Sequence, residues 1–166
     1  MSCSLRPVGH AHRARLEQLT RGTGLFREEE VVTAVELLDE SLAGDEDYQF
    51  VGAFESDQLL GYACWGATPG TMATSDLYWI VVERDRQGSG IGSQLLREVE
   101  GRLTADGRRL VVVETSSRPD YSPTRAFYEA RGYTRTATIP GYYAPGDDLV
   151  IYTKDLTTGD LARAAP

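Results

Sequence analysis

The sequence predicts an α/β domain on a mixed sheet, and three stretches predict it. Residues 48–54 and 59–65 read as two strands joined across a short polar turn, an antiparallel hairpin. Residues 77–82 and 110–114 are apolar runs separated by a helical pattern, so this strand-helix-strand crossover makes them a parallel pair. Residues 133–139 and 149–153 give two last strands around a loop at 140–148.

Taken in order, residues 13–19 and 28–42 carry helical patterns, the second with Val31, Val35, Leu38 and Leu42 at three-to-four-residue spacing. Glu28, Glu29 and Glu30 favour the positive end of its dipole. After the hairpin and a loop at 67–75, Leu77-Tyr78-Trp79-Ile80-Val81-Val82 reads as a central strand buried on both faces. A glycine-rich turn breaks it, and a helix follows with Ile91, Leu95, Leu96, Val99 and Leu103 on one stripe, ending near Asp106-Gly107. Ser122 and Pro123 suit the N-cap and first position of a short helix that carries Phe127 and Tyr128 and stops at Gly132. The expected organisation is one domain over residues 1–156 and a frayed tail over 157–166.

Composition narrows the setting. At 166 residues and 41% hydrophobic, the chain suits one core of useful size. Its net charge, 17 minus 25 or −8, argues against general affinity for nucleic acid or anionic membranes and suits a cationic partner such as an amine. Cys3 and Cys64 form no CxxC pair, and His10 and His12 are the only histidines, so neither a disulfide framework nor a metal site is expected. No apolar run reaches membrane-spanning length, and a cytoplasmic setting is expected.

The chemistry begins at Gln87-Gly88-Ser89-Gly90-Ile91-Gly92, followed by Ser93. Glycines at alternate positions let backbone N–H groups meet a ligand without intervening side chains, and the turn opens a helix whose free amides and dipole favour an anion. A phosphate-loop NTPase is unsupported, since lysine and serine or threonine do not follow Gly92. A dinucleotide fingerprint fails at Ser93, although Glu114 imitates the ribose-binding acid.

The turn resembles the [Q/R]-x-x-G-x-[G/A] signature of the GNAT acetyltransferase superfamily, and Phe127-Tyr128 with Gly132-Tyr133 is similar to its downstream "FYxxxGF" segment. Tyr121 stands where many relatives carry asparagine. The resemblance implies a GNAT fold: a mostly antiparallel sheet, two splayed central parallel strands and about four flanking helices. It implies acetyl-CoA as cosubstrate, with pyrophosphate at Gln87, Gly88, Ser89, Gly90, Ile91, Gly92 and Ser93, and the pantetheine arm against the backbone of Ile80, Val81 and Val82. It implies transfer to a small or terminal primary amine and leaves room for a homodimer.

Three residues carry the proton work in this expectation. Tyr128 is the acid beside the departing sulfur, by resemblance to the motif tyrosine. Asp76, at the start of the cosubstrate-binding strand, and Glu114, at the end of the next, are competing bases; each also has a plain reading as a turn or capping residue. By resemblance, the early helices and residues 141–148 line the acceptor pocket, where Tyr142, Tyr143, Asp147 and Asp148 suit an organic cation. A dinucleotide-binding reductase-like domain and a catalytically inactive acyl-CoA-binding sensor are the alternatives.

Overall fold

The computed structural model describes residues 3–158, so residues 159–166 of the expected tail lie outside the described residues. Among the described residues, seven strands and four α-helices follow in the order β1 (Ser4–Arg6), α1 (Arg13–Gly22), α2 (Glu28–Leu42), β2 (Gln49–Glu55), β3 (Gln58–Ala67), β4 (Thr74–Val82), α3 (Ile91–Ala105), β5 (Leu110–Ser116), α4 (Ser122–Glu129), β6 (Thr134–Ala144) and β7 (Asp147–Asp155). They belong to two compact units: the first runs to Ala67 and resumes over Tyr78–Arg102, and the second holds Thr68–Leu77 and the chain from Leu103. Strand β4 contributes residues to both.

In the first unit the strand order is β1-β2-β3, with β3 next to β4. The β2–β3 hairpin closes at Glu55↔Gln58 around a two-residue turn, tighter than the sequence suggested, and Ser56 takes φ 52 there. Strand alternation splits the pair into two faces. One face presents Phe50, Phe54, Tyr62 and Cys64 to Leu16 and Leu19 of α1 and Val35 and Leu38 of α2, all in one buried cluster. Within it the Thr20 and Tyr62 hydroxyls lie 2.7 Å apart. The other face carries Gly61, where an added Cβ would sit 3.4 Å from the Ile91 side chain, and Trp65, 5.7 Å from the Arg102 guanidinium of α3.

In the second unit the order is β4-β5-β7-β6, antiparallel but for β4–β5. The parallel register comprises three pairs, Thr74↔Leu110, Ser75↔Val111 and Asp76↔Val112, and does not continue to Leu77 and Val113. The parallel ladder thus ends at Asp76. Beyond it β4 is not the doubly buried strand the apolar run suggested: Tyr78, Trp79, Ile80 and Val82 are only half-buried.

Other expectations shift too. Ser122 is not an N-cap: a 3-10 turn over Pro119–Tyr121 leads straight into α4, so Ser122 is already helical and Tyr121 precedes it. The loop expected over 140–148 is mostly strand, because β6 runs on to Ala144 and meets Asp147 across Pro145-Gly146. No described helix is long and apolar enough to cross a membrane.

Two glycines test the packing in opposite directions. An added Cβ at Gly66 would lie 2.0 Å from the Asp47 carbonyl oxygen, whereas at Gly101 in α3 it would meet nothing within 4 Å. Gly66→Ala is expected to lower stability by about 1–3 kcal/mol, and Gly101→Ala to raise it by roughly 0.5–1 kcal/mol. Urea midpoints of the two variants check this, and equal effects would contradict the packing described.

Candidate active site

The glycine-rich turn and the end of β4 belong to the first unit; Asp76, Glu114 and Tyr128 belong to the second. At the turn, Gly88 and Gly90 take φ 79 and φ 89, conformations that side chains rarely adopt, and an added Cβ at either would meet nothing within 4 Å. Glycine is thus required by the backbone path and leaves the surface open. Ser89 folds back on the preceding 3-10 turn, its N–H and Oγ donating to the Arg86 carbonyl at 3.3 and 2.5 Å. The first bond of α3 runs from Gln94 N–H to the Gly90 carbonyl at 3.0 Å, so the amides of Ile91 and Gly92 precede any helical acceptor. The Ile91 side chain is buried, which leaves only its backbone to face a ligand.

Helix α3 is 15 residues long, and its dipole end coincides with these amides. An anion with several oxygens, such as a pyrophosphate, fits a cradle of this kind without a lysine. Upstream, Val81 is buried in the α1–α2 cluster, and the Val82 carbonyl accepts from Gln87 Nε2 at 3.3 Å. Gln87 therefore ties the end of β4 to the turn, and Ser93 is half-buried just inside α3.

In the second unit the register fixes which groups share a face. Asp76 lies opposite Val112, so Asp76, Val112 and Glu114 point to one side of the sheet. Asp76 is not a turn residue, as its alternative reading had it, but the third residue of β4, and Thr68 Oγ1 donates to its Oδ2 at 2.7 Å. Glu114 is not the end of β5, which continues to Ser116. Glu114 is exposed on the strand, yet partial withdrawal of its carboxyl from water, and next the negative charge of Asp76, push its pKa upward.

Tyr128 lies on the other side. Its ring stacks at 6.4 Å on Tyr152, which is paired with Val113, and meets Tyr133 edge-on at 5.3 Å. Burial pushes its phenol pKa well up, so the proton stays on Oη through neutral pH. The structure thus brings Asp76 and Glu114 together and sets Tyr128 on the opposite face of the same sheet. Tyr121, at the position of the usual asparagine, has the Arg118 guanidinium 5.2 Å from its ring centroid.

Some participants carried no sequence signal. Thr68 reaches Asp76 across a loop, a spacing of eight that no periodicity marks. Asp147 and Asp148, expected to meet a cation, already have donors: Ser116 Oγ donates to Asp147 Oδ1, and Gly141 N–H to Asp148 Oδ1 at 2.8 Å.

Because Asp76 is the charge that acts on Glu114, Asp76→Asn should lower the Glu114 titration midpoint. Carboxyl-carbon NMR across pH reads it directly. A Glu114 midpoint that stays put, or rises, would show that the two carboxylates do not interact.

The fold and turn can be set beside known proteins. A family model described as an acetyltransferase (GNAT) domain matches residues 46–135. A GNAT-family structure from Desulfovibrio desulfuricans superposes with a TM-score of 0.88 at 40% identity, covering 93% of this chain and 99% of that one. An N-acetyltransferase, PaiA, from Thermoplasma acidophilum, solved with coenzyme A, shares the fold at 19% identity and a TM-score of 0.72, over 93% and 99% of the two chains. The S-(2-succino)cysteine N-acetyltransferase of Bacillus subtilis (strain 168) is 28% identical over 72 residues, which is 43% of this chain and 44% of that protein, so the match spans under half the length of that curated relative. With the family model covering more than half of its residues, the chain belongs to the GNAT acetyltransferase family.

Proposed function

We propose that residues 1–156 act as one acetyltransferase domain that moves the acetyl group of acetyl-CoA directly to a primary amine in a ternary complex. The observation that carries this is the turn at Gly88 and Gly90, which opens α3 with left-handed backbone and unobstructed space around both glycines. Backbone amides at Gly88, Gly90, Ile91 and Gly92 hold the pyrophosphate, and Ile80 to Val82 offer backbone to the pantetheine arm. Acetyl-CoA supplies a thioester that an amine attacks and a sulfur that leaves as thiolate.

The chain's residues move the protons. A lysine-like amine with pKa about 10.4 is neutral about one part in a thousand near pH 7.4, so removing its proton is worth roughly 4 kcal/mol. Glu114, whose pKa partial desolvation and Asp76 raise, is better matched to this at neutral pH than an ordinary carboxylate. Asp76 supplies the neighbouring charge and is the alternative base. Tyr128 holds its proton on Oη until charge develops on sulfur; a thiolate, whose thiol has pKa about 8.5, is a weaker base than the phenolate of a phenol with pKa about 10, so Tyr128 stabilises the leaving thiolate chiefly by hydrogen-bond donation and the thiolate takes its final proton from solvent.

An α-amino group with pKa about 7.7–8.0 is already roughly a fifth to a third neutral at that pH and needs less help. The B. subtilis relative is named for an amino-acid-derived acceptor, which makes an α-amino group one candidate class. The two free cysteines support a reducing, cytoplasmic setting.

Thiol release from acetyl-CoA, followed with spermidine, kanamycin, an alanine-terminated peptide and S-(2-succino)cysteine, tests the activity and sorts the acceptor class. Tyr128→Phe should lower kcat by about 10²-fold to 10⁴-fold with acetyl-CoA affinity unchanged. An unaltered kcat where chemistry limits the rate would reduce Tyr128 to a core aromatic.

A further inference from the structure

The β6–β7 hairpin has an irregularity that the sequence disguised as a loop. Its register passes from Ile139↔Leu149 to Ala144↔Asp147, so Pro140, Gly141, Tyr142 and Tyr143 are set against Asp148 alone. Four residues opposite one interrupt the regular β6–β7 ladder over the segment that carries Tyr142 and Tyr143. Gly141 takes φ 63, and its N–H donates to Asp148 Oδ1 at 2.8 Å. A side-chain oxygen thus stands where a strand carbonyl would.

Asp148 is itself anchored. Its N–H donates to Ser117 Oγ at 2.8 Å, and its carbonyl accepts from Ser117 N–H at 2.9 Å. One residue earlier, Ser116 Oγ donates to Asp147 and accepts from Arg118 N–H at 3.0 Å. Arg125, three residues before Tyr128 on α4, donates through Nη1 to the carbonyls of Ser116 and Arg118 at 2.6 and 3.0 Å. Ser116 lies two residues beyond Glu114 and on its side of the sheet, about 7 Å along the strand. The hairpin tip is therefore pinned beside the face that carries the carboxylates. At the tip Tyr142 is 55% exposed and meets Tyr143 edge-on at 5.0 Å.

We propose that Asp148 is a positioning residue: its carboxylate oxygen takes the Gly141 N–H where the ladder is interrupted, sets the attitude of the following Tyr142 and Tyr143 toward the acceptor amine, and does so without using its charge. It rests on the acetyl-transfer reading for the acceptor and on the hairpin geometry for the latch. An acidic residue recruited to attract an ammonium group would need its charge; a latch needs only an acceptor atom at Oδ1. Asparagine retains that atom and alanine removes it.

The full chain with Asp148→Asn and Asp148→Ala separates the two. In Asp148→Ala, hydrogen exchange at the Gly141 amide should accelerate by about tenfold or more, and KM for whichever of the four amines above turn over should rise about 3-fold to 10-fold, with kcat and acetyl-CoA affinity held. Asp148→Asn should match the wild type in both. Unchanged Gly141 exchange in Asp148→Ala would overturn the latch, and a KM that rises equally in both variants would assign Asp148 a charge role instead. Faster exchange with unchanged KM would overturn the positioning. Should the alanine variant not fold, a raised KM in Asp148→Asn alone overturns the proposal, and wild-type KM and exchange support it. Should the wild type turn over none of the four amines, the acetyl-transfer reading fails while the exchange result still decides the latch.

Discussion

Left-handed backbone at two glycines governs what this chain can do. A strand that must hand over to a helix within a few residues, with amides left unspent, needs φ values that a side chain would oppose, and Gly88 and Gly90 supply them at φ 79 and 89. Neither glycine is crowded, so tight packing does not explain them. Ser89 spends its own N–H and hydroxyl on the Arg86 carbonyl, which stabilises the bend, and the helix begins only with the bond to the Gly90 carbonyl. An anion cradle follows from the backbone path alone, and Val81 and Ile91 anchor both ends of that path in apolar surroundings.

The second constraint is register. A parallel ladder of three pairs puts Asp76 and Glu114 on one side, and antiparallel pairing of β5 with β7 puts Tyr152, and with it Tyr128, on the other. Strand alternation thereby separates the proposed proton acceptors from the proposed proton donor. Within hydrogen-bond reach of the carboxylates, the phenol would donate to them and be less free to donate to sulfur. Withdrawal from water leads in raising the proton affinity of both Glu114, which is exposed and only partly desolvated, and Tyr128, which is buried, and it suits opposite roles: the carboxyl becomes a better base, and the phenol keeps its proton.

Much of the architecture was legible because its signals are local. Helix α2 runs over Glu28–Leu42 as expected, since three glutamates precede a clean apolar stripe. The turn was legible for the same reason, its glycines marking the backbone they permit. Strand β1 over Ser4–Arg6 was not: three residues without periodicity form a strand only because β2 offers an edge. The hairpin tip misled because Pro140, Gly141, Pro145 and Gly146 read as a loop, whereas the chain uses them to bulge and close a strand pair. Hydrogen bonds between side chains far apart in sequence, Thr68 to Asp76 or Ser116 to Asp147, leave no trace in composition or spacing and emerge only from the register.

The claim that the turn binds the cosubstrate is open to one direct measurement: backbone amide shifts of the labelled full chain titrated with acetyl-CoA. The account predicts that the amides of Gly88, Gly90, Ile91 and Gly92 move together and most strongly, with a single affinity, and that desulfo-pantetheine lacking phosphates leaves them in place. Saturable binding of acetyl-CoA that leaves these four amides unmoved would contradict it.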